Sequence, residues 1–180
     1  MLLRTTLLSL ALLSAAPSFA QTLDLAKSSL TFTMKQMNVP VSGGFKQFAA
    51  KVDFNPQKLD TSVADFTIET KSISLPTRDA ENEARKKDWF DTARFPQARF
   101  TSTSIKSLGG NRYQVNGKLS LKGVSRDLSA PFTAKEEGGV TWIEGVMPIS
   151  RLAFKIGEGS WSDTGSVADE VQLKFKMALR

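Results

Sequence analysis

The 180-residue chain contains neither cysteine nor histidine, and its 24 basic and 18 acidic residues give a net charge of +6. Such a chain can build no disulfide, no Ser-His-Asp or Cys-His nucleophile, no histidine-ligated zinc or iron and no imidazole proton shuttle. The charges are scattered with no polybasic block, so the excess reads as solubility or weak attraction to anionic head groups, and not as nucleic-acid recognition.

The first 20 residues differ from the rest. Arg4 is followed by an apolar run from Leu7 to Ala16, and Pro17-Ser18-Phe19-Ala20 closes the segment with small side chains at Ser18 and Ala20. That order predicts a secretory signal cleaved after Ala20, and export to the periplasm or beyond. The alternative, a retained anchor, has only 16 residues between Arg4 and Gln21, whereas a spanning helix needs about 20 predominantly apolar ones. No stable membrane insertion is expected after cleavage. Because Arg4 is the only charge removed, residues 21–180 keep 23 basic and 18 acidic residues, net +5. Their length suits one domain that buries roughly two-thirds of its unfolded surface.

Alternation with a period of two dominates this domain and predicts half-buried strands. Leu30, Phe32 and Met34 share one face, and Phe48, Ala50, Val52 and Phe54 share the next. Phe66 and Ile68 have one parity and Ile73 and Leu75 the other, which predicts a bulge or bend near Lys71. From Thr77 to Trp89 the alternation stops; Thr77 can cap a helix whose first turn holds Asp79 and Glu81. Strand patterns then return at Tyr113–Leu121, Leu128–Ala134, Ile143–Ile149 and Val171–Leu179. Turns are expected at Ser42-Gly43-Gly44, Asn55-Pro56, Gly109-Gly110-Asn111 and Glu137-Gly138-Gly139. The fold class is all-β: an antiparallel, lipocalin-like barrel of about eight strands with one short helix. A barrel of that size is either filled by side chains or holds one small ligand. Inward small residues such as Gly117, Ala130 and Gly145 fit both a ligand cavity and the taper of a packed barrel.

Several polar groups are candidates for chemistry. Arg78 and Asp79 either orient a polar head group at the barrel mouth or form an ion pair at the helix start. Arg151, between Ile149 and Leu152, either binds a phosphate or pairs with Asp163 or Asp169, since a buried guanidinium needs acceptors. Glu158, Asp163, Asp169 and Glu170 surround Trp161. Their spacing is not that of an EF-hand loop, and the simplest reading is a polar loop with Trp161 packed over one barrel end. No metal site and no catalytic residue is predicted.

Four stretches in order carry a resemblance. They are Ser29-Leu30-Thr31-Phe32 with Gly43-Gly44-Phe45; Arg78-Asp79 through Asp88-Trp89-Phe90-Asp91 to Phe95-Pro96 and Phe100; Val115 to Val124; and Ile149-Ser150-Arg151 through Trp161-Ser162-Asp163-Thr164 to Val171. From about Leu23 to Leu179 the chain resembles the YceI-like family of lipid- or polyisoprenoid-binding proteins. The resemblance implies a barrel around a long apolar chain, a polyisoprenoid or the tail of an isoprenoid quinone, for carriage or storage, and it does not imply an enzyme or a cofactor. Phe32, Met34, Leu119, Phe132, Met147 and Phe175 are then expected to line the cavity, with Arg78 and Arg151 as head-group candidates. The alternative is an interaction module serving a membrane redox partner. Oligomeric state is left open, a homodimer included. Two departures stand out: the family's histidines on the first strand and in the helix are absent, and Trp89 replaces a phenylalanine.

Overall fold

The computed structural model describes residues 21–180; the expected signal segment lies outside the described residues. Ten antiparallel strands form one sheet: β1 Ser29–Gln36, β2 Val39–Phe45, β3 Phe48–Asp53, β4 Val63–Glu69, β5 Ile73–Ser74, β6 Gln97–Gly109, β7 Arg112–Leu121, β8 Val124–Glu137, β9 Val140–Ser150 and β10 Glu170–Leu179. Their order, β3-β4-β6-β7-β8-β9-β10-β1-β2-β5, leaves β3 and β5 at the edges of the curled sheet. One helix, α1 (Arg78–Ala84), interrupts it. The expected lipocalin-like class is present, with ten strands where about eight were expected. The difference lies in β2, which lacks clean alternation, in the two-residue β5, and in β6, whose Ser/Thr-rich run carries a bulge between Ser102 and Ser104.

Hairpin chemistry fixes most of the register. Met37 and Asn38 both have positive φ (49° and 64°) and join β1 to β2, with Gln36 opposite Val39; this is the two-residue geometry whose twist matches that of the strands. Gly138 and Gly139 do the same between β8 and β9. The turn expected at Ser42-Gly43-Gly44 is instead part of β2. Gly43 faces inward opposite Phe32, where a Cβ would overlap the Phe32 ring, so this glycine serves packing rather than a turn. The expected bend near Lys71 is a single 3-10 turn, Thr70–Ser72, in which the buried Thr70 hydroxyl donates to the carbonyls of Phe95 and Pro96 at 2.7 and 2.9 Å.

The N-terminal strap ties the edge strand β3 to the interior strand β10. Gln21 pairs with Val52 of β3 and Leu23 with Leu179 of β10, while the Gln21 side chain accepts from the Phe54 amide at 3.1 Å. Helix α1 is shorter than the Thr77–Trp89 stretch suggests: Thr77 caps it by accepting from the Ala80 amide at 3.2 Å, and it ends at Ala84 with Arg85 as C-cap. The chain then turns back on itself, the Phe90 amide donating to the Ala84 carbonyl at 3.0 Å. That return seats Trp89 and Phe90 against the barrel. Among the described residues no helix is long and apolar enough to cross a membrane.

Candidate apolar site at the capped end of the barrel

The interior divides into two halves. In one, Val52, Phe54, Tyr113, Val115, Phe132, Met147 and Leu179 pack into a solid core. Phe54 meets Tyr113 and Phe132 edge-on, with ring centroids 5.1 and 5.7 Å apart. In the other half a cavity of about 130 Å³ remains. Its wall is built by Leu30, Phe32 and Met34 of β1, Leu119 and Leu121 of β7, and Val171 and Leu173 of β10. Its cap comes from Ala84 of α1, from Trp89 and Phe90 just after it, and from Phe154 and Ile156. The surface that faces the cavity is wholly apolar, although Trp89 and Arg151 contribute to its wall.

The expected cavity residues fall on both sides of this division. Phe32, Met34 and Leu119 line the cavity. Phe132 and Met147 belong to the packed half, and Phe175 lies at the boundary, touching the cores on either side. The inward glycines do not leave empty space at their positions. Cβ atoms at Gly117 and Gly145 would overlap the rings of Phe100 and Phe175, so the aromatic rings fill the volume the glycines leave.

Arg151 is 97 % buried, only 3 % exposed, and holds the cap together. Its Nε donates to Ala168 O at 3.1 Å, its Nη1 to Ile156 O and Gly157 O at 2.9 and 3.1 Å, and its Nη2 to Trp161 O and Val167 O, both at 2.7 Å. A guanidinium has five N–H donors, and all five are engaged. The acceptors are carbonyl oxygens, so of the two expected partners for Arg151 neither Asp163 nor Asp169 takes an N–H, and none is left over for a phosphate. Burial lowers the Arg151 pKa from its ordinary value, partly opposed by the charge of Asp169. Gly157, at φ 80°, is required on two grounds: its left-handed backbone, and a Cβ that would strike Arg151 Nη1.

The four acidic residues near Trp161 are each engaged locally, Glu170 accepting from the Gln172 side-chain amide at 2.7 Å. Glu158 pairs with the buried Lys122 at 3.0 Å, and Lys122 also donates to Lys155 O at 2.6 Å, fastening the β7–β8 turn to the cap. Asp163 accepts from the Gly165 and Ser166 amides and from the Ser166 hydroxyl, which holds its pKa below the usual carboxylate value. Asp169 accepts from the Leu152 amide at 2.9 Å. Trp161 packs against Trp89, with centroids 5.5 Å apart. Arg78 opens α1 and is exposed. No group of acidic residues suited to a metal occurs among the described residues.

Trp89 stands apart. It is 8 % exposed and lies under the Arg151 guanidinium, 5.7 Å from its ring centroid, yet its Nε1–H has no acceptor among the described residues. Leaving a buried donor unpaired costs about 1–3 kcal/mol. Alternation could not reveal Trp89, Phe90, Phe154 or Ile156 as cavity residues, because they come from irregular segments without a period.

Outside the barrel, a groove of about 910 Å³ runs along the seam where β1 and β2 face the start of β3. Leu30, Phe45 and Leu75 line both the groove and the cavity.

The profile of the YceI-like domain matches residues 21–179. The chain belongs to the YceI-like family. Its fold is similar to that of BcnA from Burkholderia cenocepacia, with a TM-score of 0.85 and 44% identity over 87% of this chain and 98% of that one. A polyisoprenoid-binding domain from Saccharophagus degradans, implicated in plant cell wall breakdown, shares the fold at a TM-score of 0.72 and 15% identity, over 89% of this chain and 98% of that one. Among curated relatives, a UPF0312 protein of Shewanella baltica is 29% identical over 65% of this chain, and the match spans 62% of that relative's length.

Proposed function

We propose that this protein is a non-enzymatic binding protein that takes an apolar, isoprenoid-like chain into the capped half of its barrel, for carriage or storage in the periplasm or outside the cell. The observation that carries the reading is the cavity itself: an apolar void inside a barrel whose other half is a packed core. The polyisoprenoid-binding domain of the same fold adds support. The signal-like segment at residues 1–20 supports export. Phe32, Met34 and Leu119 contact the ligand first. At about 130 Å³ the cavity has the size of one that admits benzene, so a long chain enters only as the interior opens. Phe175, at the boundary, is the ring that yields, and the chain then reaches Met147 and Phe132. The seam groove provides the approach, through Leu30, Phe45 and Leu75. Arg151 shapes the cap, and Arg78 is the head-group candidate with a free approach from solvent.

A second reading, an interaction module for a membrane redox partner, is favoured by one feature: the β1–β2 tip presents Met37 and Val39 at 75% and 61% exposure. Organic extraction and mass spectrometry of the purified 21–180 chain separates the two. An isoprenoid-chain lipid at about one per chain is expected; a protein that carries no lipid and takes up none from an isoprenoid mixture contradicts the carrier reading.

A further inference from the structure

The walls of the capped cavity differ in how firmly they are held. β1, β7 and β10 are each paired along both edges. The cap is pinned by the five Arg151 bonds and by Lys122. β5 is the exception: it has two residues, where the next shortest strand, β3, has six. It lies at the edge of the sheet and meets β2 through Gly44 opposite Ser74 and Phe45 opposite Ile73. Leu75 follows it directly. Of the three side chains shared by groove and cavity, Leu30 and Phe45 sit on β1 and β2, and Leu75 alone lies outside the strands.

Residues 73–90 are cross-linked to one another. The Glu81 carboxylate accepts from the Leu75 amide at 3.3 Å, and Arg85 donates to the Ile73 carbonyl at 3.3 Å and to Glu81 at 3.2 Å. The Phe90 amide returns to the Ala84 carbonyl. β5, Leu75 and α1 are therefore built to move together. The base of this unit is fixed: Thr70 bonds to Phe95 and Pro96, and Ser72 accepts from the Lys46 and Gln47 amides. Its far end is fixed too, because the Asp88 carbonyl accepts from the Gly157 and Glu158 amides, both at 2.8 Å. Between these anchors it meets β2 through the β5 pairs and through apolar packing, such as Phe90 edge-on to Phe45 at 5.8 Å.

We infer that residues 73–90 form a flap over the cavity, and that the ligand enters when β5 parts from β2 and carries Leu75 away from Leu30 and Phe45, joining the seam groove to the interior. The inference rests on the carrier reading and names the step that controls it. Parting β5 breaks two residue pairs at an edge, whereas opening any other wall breaks a full ladder, and proteins open first where the fewest bonds resist. The flap then sets the rates of uptake and release, while affinity stays with the interior.

The test locks the flap. The chain has no cysteine of its own, and Phe45→Cys with Ile73→Cys places two thiols at facing positions in adjacent antiparallel strands, close enough for a disulfide. Farnesol uptake by the purified variant should be slower by at least about tenfold when oxidised than when reduced, and reduction should restore it. Equal rates in the two forms overturn the inference and leave the carrier reading standing. Native protein that binds no farnesol overturns the carrier reading. Should the variant fail to fold, fail to close its disulfide or lose farnesol when reduced, amide exchange in the native protein decides. The amides that pair β2 with β5 should exchange at least about tenfold faster than those that pair β2 with β1, and equal protection overturns the inference.

Discussion

Phe175 of β10 lies directly opposite Gly145 of β9, and its ring occupies the space that a Cβ at position 145 would need. The same arrangement joins Phe32 to Gly43 across β1 and β2, and on β6 and β7 the Phe100 ring covers Gly117 diagonally, Gly117 itself lying opposite Ser102. Each glycine lets a phenylalanine lie flat on the inner face of the sheet, and Phe175 stands where the packed half of the barrel gives way to the cavity.

Gly145→Ala should therefore destabilise the protein by about 1–3 kcal/mol, since the added methyl forces Phe175 off its position in a filled interior. Denaturant unfolding measures this. Unchanged stability would mean that Phe175 moves freely, and that the boundary between the two halves is soft.

Arg151→Met removes the partner of five carbonyl oxygens at once. Because a single buried unpaired acceptor costs about 1–3 kcal/mol, a loss of at least about 3 kcal/mol is expected. Arg151→Lys should fall between, as an ammonium has only three donors. Ligand affinity per folded molecule should change less than stability, since the guanidinium has no N–H to spare.

The loop at residues 163–166 should loosen in acid. The Asp163 pKa is lowered in the folded state by the Ser166 hydroxyl and the Gly165 and Ser166 amides. A lowered carboxylate pKa gives stabilisation that is present above the unfolded value, about pH 4, and lost as pH falls through the folded value. Amide exchange at Gly165 and Ser166 should rise below about pH 4. Asp163→Asn should abolish that rise.

The strands were largely legible in the sequence because period-two alternation marks a sheet with one wet face, and β1, β3, β7 and β10 show it cleanly. β2 was not, because Gly43 and Gly44 resemble a turn until the Phe32 ring opposite is known. Half of the expected cavity was legible for the same reason. Alternation tells which side chains point inward, and so finds Phe32, Met34 and Leu119 together with Phe132 and Met147. It cannot tell which inward residues touch one another, which is what separates void from packed core. The cap was the least legible part. Trp89 and Phe154 reach the cavity from outside the strands, in a cap that Arg151 holds through the carbonyls of Ile156, Gly157, Trp161, Val167 and Ala168, which no residue type announces.

Filling the void tests its location. Ala84 of α1 is buried against the cavity, and Ala84→Leu places an isobutyl group there. Stability should be unchanged or higher, by up to about 2 kcal/mol as for other cavity-filling changes. Isoprenoid affinity should fall by at least about tenfold. Full affinity in a folded Ala84→Leu protein would place the ligand outside the barrel.

The most direct test of the central claim is a titration of the 21–180 chain with prenyl alcohols of increasing length, from geraniol through farnesol and geranylgeraniol to longer chains, at low and high salt. Apolar surface taken into the barrel contributes roughly 25 cal/mol per Å², against a fixed cost of association. Affinity should therefore rise with chain length until the barrel is full, then level off, with little dependence on salt. Affinity that ignores chain length, or that collapses as salt is raised, would contradict an apolar chain held within the barrel.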